Sequence, residues 1–269
     1  MTAFAHKVAS LTGASRESIE RLAGGDLSEV LLVRRPDGHL SVAKGGPATI
    51  VEAGMLRAIR EAGVPAPMVE AEHDGVLLLE YVPNDGVFSA TAWRDLGAQM
   101  RRLHGQRGDT YGWPADYRLG TVEMDNRPAA DWPSFWGQRR LIVTAALLDR
   151  PWRERVDLLA NRLAAFLPSS PPPALLHGDL WPGNILVQGG AVAALIDPAS
   201  YYGHCEVDLA MLSLFGSPPE EFQQAYGSLD IGWQQRRAAY QLFPALVHLR
   251  LFGHGYAGMV DRLLGSLGA

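Results

Sequence analysis

The chain is expected to fold as an α+β protein of two lobes, a small β-sheet lobe with one main helix followed by a larger, mainly helical lobe. Three features of the sequence predict this. Short apolar and β-branched runs punctuated by turn residues fill the first part of the chain, one stretch of helical period interrupts them from Thr49, and after Val82 the pattern is helical apart from three very short strands. The division falls at residues 1–82 and 83–269.

Taken in order, Ser15 followed by Glu17 and Ser18 can cap a short helix with Ile19 and Leu22 on its apolar face. Gly24-Gly25-Asp26 interrupts that helix or the next strand. Val30 to Val33 and Leu40 to Lys44 flank Pro36-Asp37-Gly38 and predict a hairpin. Ala53, Leu56 and Ile59 repeat at helical spacing, with Glu52, Arg57 and Arg60 on other faces, until Gly63, Pro65 and Pro67 end the run. Val76 to Val82 predicts a strand closed by Pro83. Helices are then expected over Trp93 to His104, Trp136 to Leu148 and Arg155 to Leu167. Between the first two, Gly108 to Trp132 is long, aromatic and without period, as in a functional loop packed by its own side chains. Leu175 to His177, Ile185 to Val187 and Ala193 to Ile196 are too short for helices and predict strands. Helices return at Asp208 to Phe215, Pro219 to Tyr226 and Gln234 to Phe252, the last with Pro244 as a kink candidate.

Composition narrows the function. Hydrophobic residues make up 47% and charged residues 20%, which is globular rather than disordered. A formal charge of -5 argues against nucleic acid as a partner. Cys205 is the single cysteine, so no intrachain disulfide or thiolate metal cluster can form. Neither a leader pattern nor a long apolar span stands out, so no membrane partner and a cytoplasmic location are expected. A monomer is expected, with a homodimer left open.

The chemistry concentrates in His177-Gly178-Asp179-Leu180-Trp181-Pro182-Gly183-Asn184 and in Asp197 after the apolar run ending at Ile196. Asp179 sits on a tight loop after a strand, where a carboxylate can orient an attacking hydroxyl and accept its proton. Asn184 and Asp197 offer oxygen ligands suited to Mg2+ beside a phosphate chain. Lys44 ends an apolar strand and needs a partner, which Glu52 in the first turns of the next helix can supply, fixing the ammonium for phosphate contact. Gly24, Gly25 and Ser28 could let backbone amides and a hydroxyl approach phosphate. His177 is expected to hydrogen-bond backbone around the loop, and Asp208 to cap its own helix or brace that loop from below. GxxxxGK[ST], HExxH and GxSxG are all missing, against P-loop nucleotide sites and two hydrolase classes.

Together these residues resemble the protein-kinase-like superfamily, and within it the fructosamine kinase (ketosamine 3-kinase) family. The closer likeness rests on Trp181 inside the His177 to Asn184 stretch and on Asp197-Pro198-Ala199 followed by Tyr201-Tyr202-Gly203-His204 and Glu206-Val207-Asp208. It also rests on Tyr111-Gly112-Trp113 through Asn126, and on Asp131-Trp132-Pro133 with Phe135-Trp136 and Arg139-Arg140-Leu141. The resemblance implies a bilobal protein-kinase-like fold with ATP between the lobes, Lys44 and Glu52 as the upper ion pair, Asp179 as base, and Asn184 and Asp197 as magnesium ligands. It makes Glu80-Tyr81-Val82 the hinge that meets adenine through its backbone. The implied activity is transfer of the γ-phosphoryl group to the 3-hydroxyl of a small-molecule or protein-linked ketoamine, fructosamine or ribulosamine, in deglycation or metabolite repair. Trp181 can stack on the acceptor, His204 and Glu206 are placed in its pocket, and Asp116, Tyr117 and Asn126 are further candidates. The alternatives are an aminoglycoside, choline or other amino-alcohol kinase, and a noncatalytic nucleotide-binding protein.

Overall fold

A computed structural model describes residues 2–22 and 29–269. The chain opens with a helix not expected from the sequence, α1 (Ala3–Thr12), capped by the Thr2 hydroxyl and closed by Gly13 at φ 69°. The helix expected after Ser15 is instead a single 3-10 turn (Arg16–Ser18), and Ile19 starts a strand. Pairing of Ile19 with Val33 across the sheet gives that side chain a partner that an isolated short helix would lack.

Strands β1 (Ile19–Arg21), β2 (Val30–Arg34), β3 (Leu40–Gly45), β4 (Val69–His73) and β5 (Val76–Glu80) form one antiparallel sheet in the order β1-β2-β3-β5-β4, and α2 (Thr49–Glu61) is inserted between β3 and β4. Helices cover both faces. Val8 of α1 packs with Leu31, Val33, Ala43, Val76 and Leu78 on one side, while Ala53, Leu56 and Ile59 of α2 pack with Leu77 and Leu79 on the other. Burial on both faces explains why β5 reads as an unbroken apolar run instead of an alternating one.

The chain leaves the sheet through residues 81–89, where the Asp85 N–H donates to Val187 O at 2.8 Å and the Asp85 carboxylate accepts from Gly189 N–H at 2.8 Å. Next come α3 (Ala90–Gly105) and a short hairpin of β6 (Tyr117–Leu119) and β7 (Val122–Met124), which sits inside the aromatic loop. The expected helix at Trp136 to Leu148 is a composite: α4 (Trp132–Ser134), a π-helix (Phe135–Ile142) and α5 (Val143–Ala145). Helix α6 (Arg150–Ala160) starts earlier than expected and gives way to a 3-10 turn (Leu163–Ala165).

Strands β8 (Ala174–Leu175) and β11 (Tyr202–Gly203) pair with each other, as do β9 (Ile185–Gln188) and β10 (Ala191–Leu195). Helices α7 (Glu206–Leu212), α8 (Glu220–Tyr226), α9 (Trp233–Phe252) and α10 (Ala257–Ser266) complete the fold, and Pro244 is accommodated within α9. Arg140 is fully buried here. Its guanidinium lies 4.0 Å from the Tyr201 ring centroid and donates to Asp125 O and Asn126 Oδ1, both at 2.7 Å. The loop from Gly108 is therefore pinned to the helical core by a charged group whose hydrogen bonds are mostly backbone and amide. Among the described residues no helix is long and apolar enough to cross a membrane.

Candidate active site

Strand parity aims Lys44 at α2. In the β3–β5 register Lys44 pairs with Leu77 and Val42 with Leu79, so Lys44 shares the face that α2 covers, whereas Ala43 points to α1. Its ammonium donates to Glu52, one turn into α2, and to Asp197 Oδ1 at 2.8 Å. Burial opposes the charge of Lys44, but the two carboxylates outweigh it and hold the pKa above the ordinary value of 10.5. Burial pushes the Glu52 carboxyl up, with Lys44 opposing.

The loop carrying Asp179 is held from three directions. Gly178 adopts φ 85°, and a Cβ there would overlap the Ala199 carbonyl, so glycine alone lets this loop lie against the segment after Asp197. Asp208 is fully buried, and its carboxylate accepts from the N–H groups of His177 at 2.7 Å and Gly178 at 2.9 Å, with His104 Nε2 a further partner at 3.1 Å. Of the two readings of Asp208, bracing the loop is the one its contacts match. The His177 ring donates from Nε2 to Ile196 O at 3.0 Å, and burial keeps it neutral by pushing its pKa down. That bond ties the two loops together.

Asn184 closes a 3-10 turn (Pro182–Asn184), and its amide nitrogen donates to Asp179 O at 2.9 Å and to Asp179 Oδ2 at 3.0 Å. Its Oδ1 is left for another ligand. Asp197 occupies the left-handed region at φ 54°, which Asp tolerates better than most residues. Burial pushes the Asp179 carboxyl up to about 7, the Asn184 bond opposing and the Asp197 and Asp208 charges adding. A carboxyl poised near neutrality beside a cavity is suited to taking a proton.

One cavity of about 270 Å³ joins these groups: Lys44, Glu52, Asp179, Asn184 and Asp197 all line it. Asn184 Oδ1 and the Asp197 carboxylate are two oxygen donors on its wall beside Asp179, and the described residues hold no cluster of three or more His, Cys, Asp or Glu suited to a metal. That donor set fits magnesium, which takes few protein ligands and shares the phosphates and water.

Trp181 borders the same cavity and is 40% exposed, its ring lying over Gly183 where any Cβ would collide. Tyr117, one of the further candidates, also lines it, and its phenol pKa is well above ordinary through burial and the Glu52, Asp197 and Asp179 charges. Sequence reasoning missed the rest of the wall, made by Gly45 to Thr49 and by Val247, His248, Leu251 and Phe252 of α9. Those α9 residues form an i, i+4 stripe that, read as sequence, is indistinguishable from a core face.

Other expected residues lie elsewhere. His204 and Glu206, expected in the acceptor pocket, are buried away from it: His204 Nδ1 accepts from the Tyr240 hydroxyl at 2.7 Å, and Glu206 Oε2 accepts from Arg236 Nε at 2.7 Å. Burial and the Arg236 charge push His204 down to about 3, so it is a neutral acceptor inside the helical lobe. Asp116 and Asn126 bond each other, Asn126 N–H donating to Asp116 Oδ1 at 2.8 Å, and neither lines the cavity. Glu80 ends β5 and Val82 lies two residues beyond it; the Glu80 N–H and carboxylate are engaged by Met68, and neither Glu80 nor Val82 lines this cavity. Gly24, Gly25 and Ser28 lie outside the described residues.

A five-stranded sheet lobe, a helical lobe and a Lys–Glu pair facing an Asp–Asn–Asp set define a phosphotransferase of the protein-kinase-like class. The chain belongs to the fructosamine kinase family, which matches residues 3–268. A "Probable ketoamine kinase" of Lactiplantibacillus plantarum is 34% identical over 266 residues, covering 92% of this chain and 93% of the relative. The "Protein-ribulosamine 3-kinase, chloroplastic" of Arabidopsis thaliana is 31% identical over 191 residues, covering 67% and 58%. A solved structure of a "putative fructosamine-3-kinase" from Thermobifida fusca superposes with a TM-score of 0.87 at 30% identity over 98% of both chains. An aminoglycoside phosphotransferase, APH(4)-Ia, shares the fold at a TM-score of 0.67 and 14% identity, over 98% of this chain and 99% of its own.

Proposed function

We propose that the chain transfers the γ-phosphoryl group of ATP to the 3-hydroxyl of a ketoamine, fructosamine or ribulosamine, and so serves deglycation or metabolite repair. The observation that carries this reading is the convergence of Asp179, Asn184, Asp197 and the Lys44–Glu52 pair on one cavity with an aromatic rim. Asp179 would aim the sugar hydroxyl and take its proton as the bond to phosphorus forms. Lys44 would exchange its Asp197 contact for phosphate oxygens while keeping Glu52. Asn184 Oδ1 and Asp197 would hold magnesium, which supplies charge neutralisation at the phosphates when bound. Trp181 and Tyr117 offer ring faces to a sugar or a protonated amine.

The acids lining this cavity are Glu52, Asp179 and Asp197, each committed to lysine, proton or metal. None is spare for a polycationic antibiotic, which disfavours an aminoglycoside acceptor. ADP release measured with fructosamine, ribulosamine, choline and aminoglycosides under the same conditions tests the assignment. Ketoamines are expected to give the highest kcat/KM, and preference for choline or an antibiotic would reject it.

A further inference from the structure

A second hollow, of about 570 Å³, opens beside the active cavity between the start of α2 and the β6–β7 hairpin. The two are continuous, because Pro47, Ala48, Tyr117 and Arg118 line both. Its lining is apolar at Ala48 and Val51, and its charged groups are two ion pairs, Arg118 with Glu123 and Arg127 with Asp125, together with Asp116, whose carboxylate accepts from the Asn126 N–H. It carries none of Lys44, Asp179, Asn184 and Asp197, the groups assigned above to the phosphates and the reacting hydroxyl. If the acceptor is a ketoamine, the assignment on which this inference rests, it also has an amine-bearing carrier that must lead away from Asp179.

We propose that this groove is the carrier subsite and that Arg118 binds the carboxylate of an amino-acid carrier. Arg118 is the cationic side chain common to both hollows, so it meets a carrier on its way out of the active cavity. It is also free to exchange partners. Its bond to Glu123 is a cross-strand pair with side chains 57% and 64% exposed, a setting in which ion pairs are weak. A planar guanidinium offers a carboxylate two parallel hydrogen bonds, which a carrier without that group cannot accept. Ala48 and Val51 suit the methylene stem of a lysine whose ε-nitrogen bears the sugar, leaving the α-carbon near Arg118.

The test uses two ketoamines matched in everything but one group: the sugar on the ε-nitrogen of Nα-acetyl-lysine, and the same on Nα-acetyl-lysinamide. The methylamine ketoamine, which has no carrier, reports the ketoamine kinase activity by itself. Wild type is expected to favour the carboxylate over the amide about tenfold in kcat/KM, the low end for charge-assisted bonds. Arg118→Ala should bring that ratio to near one through the KM of the carboxylate acceptor, Arg118→Lys should keep part of it, and Arg118→Glu should reverse it. A wild type that does not distinguish the pair, or a ratio that survives Arg118→Ala, overturns the subsite. Equal losses on both acceptors would make Arg118 structural and also overturn it. No turnover of any of the three ketoamines would instead overturn the kinase assignment, and the subsite with it.

Discussion

Asp179→Asn should stabilise the ligand-free protein at alkaline pH while removing its activity. Burial raises the Asp179 carboxyl from its ordinary 3.8 to about 7. A pKa raised on folding means the folded state holds the proton more tightly than the unfolded chain. The associated stability is complete below pH 3.8 and is lost as pH climbs through about 7. At about 1.4 kcal/mol per pH unit over that span, ionised Asp179 costs the fold at most about 4 kcal/mol. Asp179 also borders the open cavity, and solvent screening there reduces this to about 2 kcal/mol. Asn is neutral, nearly isosteric and can still accept from Asn184, so it escapes the penalty. Urea unfolding of both proteins without ligands should show a stability gap near zero at about pH 4 that opens to about 2 kcal/mol in favour of the variant at about pH 8. Turnover should fall by roughly two to four decades. In wild type, kcat/KM for the acceptor should rise with pH through about 7 as the base loses its proton. A gap that does not change with pH, or wild-type turnover in the variant, would refute Asp179 as a buried base.

Two further substitutions probe the supports of the site. Lys44→Met leaves Glu52 buried without its cation and should cost about 3 kcal/mol or more in denaturant unfolding at neutral pH. Lys44→Met with Glu52→Leu should recover most of that loss without restoring nucleotide binding by calorimetry, and a double variant no more stable than the single one contradicts the pairing. Gly178→Ala forces a side chain into the left-handed region and into the Ala199 carbonyl. It should lower the unfolding free energy by about 3 kcal/mol and turnover at least a hundredfold. Near-normal values for both would mean that the Asp179 loop is not held as described.

The lower half of the site was legible because its spacing is local. His177 to Asn184 is one turn and one 3-10 helix, and the glycine, proline and asparagine that shape it are the residues such a loop demands. The opposite wall of the cavity was not legible, since Val247, His248, Leu251 and Phe252 reach it only through the path of α9. His204 and Glu206 illustrate the converse. They are polar, close in sequence to Asp197, and easily taken for pocket residues, yet Tyr240 and Arg236 satisfy them inside the helical lobe. Helix α1 had its cap signals at Thr2 and Gly13, but with modest amphipathic contrast: only Ala5 and Val8 are buried.

The meeting of Lys44 with Asp197, far apart in sequence, depends on something that sequence reading treats as a connector. Pro36-Asp37-Gly38 turns the β2–β3 hairpin, with Gly38 at φ 83° donating to Arg35 O at 2.9 Å and Arg35 N–H donating to His39 O at 2.8 Å. That turn sets the register Val30 to Lys44 and Leu31 to Ala43. A slip of one residue would carry every side chain of β3 to the opposite face. Ala43 would then face Glu52, and Lys44 would be driven into the apolar contact between α1 and the sheet, where Val8, Val33 and Leu78 offer no anion. The penalty for burying that ammonium unpaired selects against the slipped pairing in addition to the loss of apolar contacts. The lysine that meets Glu52 and Asp197 is thus also one that enforces the register that delivers it.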